Sequence, residues 1–181
     1  MNHRMVDIVP LEITDMELCS RLAAEISRTF PLSCRVVDTE NLPVQALDRQ
    51  RGQYHATSII EHLASPGRNA FRLLGVVSVD IFTPILRYVF GEAMFPGKAA
   101  VVSTYRLGIA LKQEKPSNDR DVFIDRVIKE GIHEIGHTFG LTHCNDRNCV
   151  MAASLDINQI DSKSTQLCSY CRFMLEDDLK S

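Results

Sequence analysis

Two hydrophobic periods alternate along this chain of 181 residues. Met5 to Ile13 is a short run rich in β-forming residues. From Leu18 the period changes. Leu18, Leu22, Ala23, Ile26 and Phe30 recur at the spacing of one helix face. Thr14-Asp15-Met16-Glu17 has the form of a capping box, with Thr14 as N-cap and Glu17 three residues on. Pro31 ends that helix. Cys34 to Asp38 reads as a second strand, and Gln53 to Ala64 as a second helix stopped by Ser65-Pro66-Gly67. Phe71 to Phe82 is a long apolar run between turn residues, the pattern of a strand buried on both faces. Ala99 to Leu107 is a further strand, reached through a loop around Phe95-Pro96-Gly97. Lys112 to Arg120 is polar, carries Pro116 and reads as a surface loop. Asp121 to Phe139 then makes a long helix, with Phe123, Ile124, Val127, Ile128, Ile132 and Ile135 on its apolar face. Beyond Gly140, turns and cysteines lead to a last helix from about Thr165.

Strand, helix, strand, helix, strand in this order implies right-handed crossovers and a mostly parallel sheet. The hydrophobic share of 45% and charged share of 24% are ordinary globular values, which excludes a disordered chain, a collagen-like chain and a coiled coil. A formal net charge of −3 lacks the basic excess of a nucleic-acid-binding domain. Asp7, Pro10 and Glu12 interrupt the N-terminal apolar residues, so no secretory signal is read there. No apolar stretch reaches the length of a membrane span. The expectation is one soluble, cytoplasmic domain over 1–181, with no nucleic-acid or membrane partner.

The chemistry concentrates after residue 130. His133-Glu134-Ile135-Gly136-His137-Thr138-Phe139-Gly140-Leu141-Thr142-His143 has the form H-E-x-x-H-x-x-G-x-x-H. Residues i and i+4 share a helix face, so the rings of His133 and His137 can converge on one cation. The next turn of the same helix points away from that cation. A third ligand therefore needs a sharp bend, which Gly140 supplies by reaching positive φ without steric cost. His143 then swings back to complete a three-histidine site with an open fourth position, the mark of a catalytic zinc. Glu134 stands beside that opening without ligating, placed to take a proton from water. The short H-E-x-x-H arises often by chance. Here five specified positions coincide at the end of a strongly periodic helix.

Six cysteines are present, four of them in the last quarter: Cys144, Cys149, Cys168 and Cys171. Two close pairs across a short loop are the ligand spacing of a Cys₄ zinc site. The alternative is a thiol redox pair at Cys168 and Cys171. Because Cys144 follows His143 directly, two metals would share one peptide bond. The second zinc would anchor the turn that presents the third histidine. Cys19 and Cys34 read as buried thiols, His55 and His62 as polar groups on the second helix, Arg49-Gln50-Arg51 as a solvated loop, and His3 as terminal.

His133 to Cys144, then Cys149-Val150-Met151, then Cys168 to Cys171, resemble the metzincin clan of zinc metallopeptidases and, within it, the archaemetzincins. The resemblance implies an α/β (α+β) metzincin-like fold with a twisted, mixed, mostly parallel sheet. Residues 1–140 would form an upper subdomain, with the active-site helix at about 121–139. Residues 141–181 would form a small zinc-clipped C-terminal subdomain. It implies that Met151 is the methionine of a tight turn beneath the catalytic metal. Ala99 to Leu107 would be the antiparallel edge strand above the cleft, and no pro-segment would precede the domain. The tyrosine that some clan members carry after that methionine is replaced here by Ala152-Ala153-Ser154, and Tyr170, inside the second cysteine pair, is a poor substitute. Together these readings describe a zinc metallopeptidase with two Zn²⁺ per chain and a peptide or protein substrate; the oligomeric state is left open, with a monomer favoured. Glu134 would act as general base. The rival readings are a zinc-stabilised peptide-binding module and a thiol oxidoreductase.

Overall fold

The computed structural model describes residues 4–13, 15–109 and 119–180. The chain opens with strand β1 (Met5–Leu11), helix α1 (Met16–Thr29) and strand β2 (Ser33–Val36). A 3-10 turn at Val44–Ala46 leads to two short strands, β3 (Leu47–Asp48) and β4 (Gln53–His55), and then to α2 (Ala56–Leu63). Next come β5 (Arg72–Val77), β6 (Ile81–Thr83), β7 (Leu86–Val89), β8 (Gly91–Ala93) and β9 (Ala99–Ser103). Helices α3 (Tyr105–Ile109), α4 (Asp119–Thr138), α5 (Ile157–Ser162) and α6 (Ser169–Lys180) complete the order.

Side-chain alternation on β5 shows how the layers stack. Leu74 and Val76 face one way and join a core with α1 and α4, while Leu73 and Val77 face the other way and join a core with α2. The sheet between these layers has the order β2-β1-β5-β9-β8, its first four strands parallel and β8 antiparallel. A parallel sheet covered by helices on both faces buries its central strands, here β1, β5 and β9. A second sheet, β3-β4-β6-β7, lies beyond α2. Among the described residues no helix is long and apolar enough to cross a membrane.

The mixed α/β fold and the sheet's mostly parallel character agree with the expectation. Several boundaries do not. The N-cap of α1 is Asp15, whose carboxylate accepts from Leu18 N at 3.1 Å; Thr14 lies outside the described residues. Gln53 to His55 is strand, and the helix begins only at Ala56. The run Phe71 to Phe82 breaks into β5 and β6 because Asp80 is held aside, chelated by the Arg106 guanidinium at 2.7 and 2.6 Å. In Ala99 to Leu107 the strand stops at Ser103, whose hydroxyl accepts the Tyr105 N–H at 3.2 Å and starts α3. That strand, β9, is also not the antiparallel edge. It lies between β5 and β8, fully buried, and the edge is β8. Residues 112–118 of the expected surface loop lie outside the described residues, and Asp119 and Arg120 already belong to α4. The last helix starts at Ser169, after an additional short helix, α5.

Candidate metal centres and the cleft between them

From Arg126 onward α4 runs beneath the sheet and is buried on nearly every side. It ends in a Schellman motif. Gly140 takes φ 77°, its N–H donates to His137 O at 2.9 Å, and Leu141 N–H donates to Gly136 O at 3.2 Å. The left-handed residue turns the chain back toward its own helix, and His143 comes to face His133 and His137. The three ring nitrogens lie within 4.8 Å of one another.

Hydrogen bonds fix how those rings present themselves. His133 Nδ1 sits 2.9 Å from Val150 O and His137 Nδ1 sits 2.7 Å from Leu141 O. A carbonyl can only accept, so both Nδ1 atoms carry the proton and both Nε2 atoms carry bare lone pairs. Those two Nε2 atoms face each other at 3.0 Å. Neither can donate to the other, and the repulsion is relieved by a cation between them. Tetrahedral nitrogen ligands about 2.05 Å from zinc stand about 3.3 Å apart, so the donor set fits that ion. Burial lowers the pKa of His133 well below the ordinary imidazole value, and that of His137 less far, which keeps both rings neutral. The His143 ring is exposed, and the Phe95 ring stands edge-on to His137 at 5.9 Å.

Glu134 is buried beside this group, against β8. Burial raises its carboxyl well above the usual carboxylate range, the Glu130 and Glu92 carboxylates add to the rise, and Lys163 opposes it. Gly91 makes room for it: a Cβ there would stand 2.7 Å from Glu134 Oε1. Met151 is fully buried against α4, and a methyl group at Gly136 would overlap its sulfur.

The four C-terminal thiols gather in a second group, all sulfurs within 4.8 Å of one another. Cys144 Sγ and Cys168 Sγ are 3.7 Å apart, and thiolates 2.3 Å from a tetrahedral zinc stand about 3.8 Å apart. Backbone N–H groups of Cys168 and Cys171 point at Cys149 Sγ and Cys168 Sγ, at 3.3 and 3.5 Å. The Cys171 amide lowers the Cys168 pKa, while burial and the crowding of the other sulfurs raise that of Cys171. Such a packed set of thiols becomes favourable as thiolates once a cation neutralises it. The two groups are tied through one turn. Val150 O orients His133, and Met151 O accepts the Cys144 N–H at 2.9 Å.

The structure thus brings His133, His137 and His143 together and collects Cys144, Cys149, Cys168 and Cys171; Glu134 is buried on the same helix, and Met151 packs against that helix at Gly136. Other sequence candidates lie elsewhere. Burial pushes the Cys19 thiol up to about 11 and the Cys34 thiol up to about 12, so neither is a nucleophile. His55 precedes α2 and meets Phe82 edge-on, and His62 approaches Glu40 at 3.9 Å. Arg51 is more than a solvated loop residue, since its guanidinium lies 3.8 Å from the Phe82 ring centroid. Tyr170 is exposed. His3 lies outside the described residues.

A cleft of about 760 Å³ is lined by the three histidines, Glu130 and Glu134, by β7, β8 and the turn before β7, and by Ala153, Ser154 and Leu155. Three of its features escaped the sequence reading. Glu130, one turn before Glu134 on α4, forms a buried ion pair with Lys163 at 2.8 Å. Its place on the Glu134 face was a usable signal, but its partner 33 residues away gave none. Gly91 and Glu92 on the short strand β8 gave none either.

The model of peptidase family M54 matches residues 5–177. An archaemetzincin of Methanopyrus kandleri is 42% identical over 139 residues, covering 77% of this chain and 75% of its own. One from Haloquadratum walsbyi is 36% identical over 175 residues, covering 94% of this chain and 99% of its own. The crystal structure of the Methanopyrus kandleri archaemetzincin superposes with a TM-score of 0.86 at 35% identity, over 99% of this chain and 97% of that one. That of the Archaeoglobus fulgidus archaemetzincin, complexed with malonate, gives 0.80 at 30% identity, over 94% and 99%.

Proposed function

Because the chain belongs to peptidase family M54, the archaemetzincins, and is therefore a zinc metallopeptidase acting on peptides or proteins, we propose a division of labour between its two side-chain clusters. His133, His137 and His143 hold the catalytic zinc, Glu134 is the general base, and Cys144, Cys149, Cys168 and Cys171 hold a second, structural zinc. The observation that carries this reading is the pair of bare Nε2 atoms aimed at each other across 3.0 Å. Residues 1–140 then supply the roof and the active-site helix, and 141–181 the floor with Met151.

A zinc ion held by His133, His137 and His143 would supply Lewis acidity, enough to polarise a carbonyl and to lower the pKa of water toward neutrality. The chain's own groups do the rest. Glu134, kept proton-hungry by burial, takes the proton of the attacking water and delivers it to the leaving amine. The Val150 and Leu141 carbonyls hold two of the rings in register. Residues of β7 and β8 line the cleft on which Glu134 and the histidines open.

Glu134→Gln keeps the shape and removes the base. Its kcat is expected to fall by about 10²–10⁴-fold, the usual contribution of general-base catalysis, while zinc content by elemental analysis stays at the wild-type value. Hydrolysis persisting in that variant would overturn the role.

A further inference from the structure

A second pocket, of about 580 Å³, opens where the β3–β4 turn, the β5–β6 connection, β7 and the start of α3 meet. Its charged lining consists of Arg51, Arg87, Arg106 and Asp80. Two of the three guanidiniums are held in place. Arg51 Cζ lies 3.8 Å from the centre of the Phe82 ring, and Arg106 Cζ lies 3.9 Å from that of Tyr88. Arg51 donates from Nε to Gln53 Oε1 and from Nη2 to Arg87 O, both at 2.9 Å. Arg106 donates from Nε and Nη2 to the Asp80 carboxylate at 2.7 and 2.6 Å. The buried Gln53 amide joins the two, accepting from Arg51 while donating to Asp80 Oδ2 at 2.8 Å. Only that amide and that carboxylate stand between the two guanidiniums.

A guanidinium carries five N–H donors, and these bonds leave Nη1 of both Arg51 and Arg106 uncommitted. Arg87 is exposed, and among the described residues its guanidinium has no partner. Three cations against one carboxylate leave the pocket with two positive charges in excess. Bracing the sheet needs only the Asp80–Arg106 chelate. It does not account for Arg51 and Arg87 at the same opening, where like charges repel unless an anion lies among them. One carboxylate would cancel half of the excess. A phosphate monoester carries nearly two negative charges near neutral pH and offers three acceptor oxygens, which matches both the charge and the number of guanidiniums. Stacking on the two rings lowers the cost of ordering the arginines when the anion binds.

We propose that Arg51, Arg87 and Arg106 form a binding site for a dianionic phosphoryl group, supplied by a free phosphate compound or by a phosphorylated residue of a peptide. The site does not depend on the peptidase reading. Arg87 also lines the histidine cleft, so β7 is common to both.

The test uses zinc-loaded protein carrying Glu134→Gln, so that peptides are bound without turnover, and reads affinity by isothermal titration calorimetry at fixed ionic strength. One arm compares methyl phosphate, a dianion, with dimethyl phosphate, a monoanion. The other compares an N-acetylated Gly/Ser peptide carrying one phosphoserine with the same peptide carrying glutamate. In at least one arm the dianion is expected to bind about tenfold to a hundredfold more tightly, the range of a lost charge-assisted hydrogen bond. Preference in the first arm alone assigns the site to a small phosphate compound, and in the second alone to a phosphopeptide. Arg51→Gln and Arg87→Gln should each weaken the preferred dianion about tenfold or more, which binding at the zinc would not show. Ser78, exposed in the same lining, provides a gain that misfolding cannot produce: Ser78→Lys should tighten the dianion severalfold, and Ser78→Glu should weaken it. No preference for the dianion in either arm, or an affinity untouched by both arginine variants, would overturn the proposal.

Discussion

Replacing Gly91 with alanine probes the placement of Glu134 without altering it. The added Cβ would stand 2.5 Å from Glu134 Cγ, 2.7 Å from Oε1 and 2.8 Å from Cδ. Non-bonded carbons rest at about 3.5 Å or more, so the Glu134 side chain must withdraw by about 1 Å. The β8 backbone accepts alanine, since Gly91 is not among the positive-φ glycines. The strain therefore falls on the carboxylate. A displacement of about 1 Å in a catalytic group lowers the rate by about 100-fold, or about 2.7 kcal/mol of transition-state stabilisation. The assay is kcat/KM on a fluorogenic peptide, with zinc content by elemental analysis and Tm recorded on the same sample. Activity is expected to drop by about that factor, while zinc content and Tm stay close to wild type. A Gly91→Ala protein with wild-type kcat/KM would refute the link between carboxylate position and turnover. Loss of zinc in step with activity would also refute it, because the three atoms nearest the added methyl all belong to Glu134.

The remaining predictions concern the C-terminal segment and the acid limit. Cys168→Ser should release one zinc per chain and lower Tm by about 10 °C, corresponding to about 3–4 kcal/mol in a domain of this size; an unchanged Tm would count against the structural zinc. Lys163→Met leaves Glu130 charged and alone in the interior, so it should destabilise by about 3–5 kcal/mol in denaturant unfolding. The double variant Lys163→Met/Glu130→Leu should recover part of that loss, and no recovery would mean that the pair does not act as a unit. The Arg68 guanidinium holds the Glu40 carboxyl below its usual pKa. A lowered folded-state pKa adds stability above the ordinary glutamate value of about 4.3 and loses it as pH falls through the folded one. Arg68→Gln should therefore cost about 0.5–1 kcal/mol at pH 7, allowing for solvent around this part-exposed pair, and nothing near pH 2. A gap of equal size at both pH values would contradict the assignment.

What the sequence made legible was local. The H-E-x-x-H-x-x-G-x-x-H pattern from His133 to His143 occupies a single helix and the turn that ends it, so i, i+4 geometry and one glycine were enough to assemble it. The long-period apolar residues of α1 and α4 marked their helices for the same reason. What was missed depends on partners far along the chain. Nothing near Asp80 announces that Arg106 will pull it aside and split one apolar run between two sheets. The β9 segment reads as strand, but interior or edge is decided by whether β8 pairs beside it, and Gly91-Glu92-Ala93 carries too little pattern to be seen. The second sheet is built from strands of two to four residues, too short for alternation to register. Lys163 is a lone basic residue until the fold buries it against Glu130.

If His143 and Cys144 each hold a zinc ion as proposed, the peptide bond between them sets where this chain tolerates changes of length. One residue inserted there would shift the imidazole by a full Cα–Cα step of about 3.8 Å relative to the sulfur, too far for both to stay at ligand distance. The same insertion between β6 and β7, beside the exposed Ile85, lengthens only a loop tip. Under that assignment the cleft's outer loop is free to grow or shrink, while the stretch from α4 to Cys144 is held to a fixed count of residues.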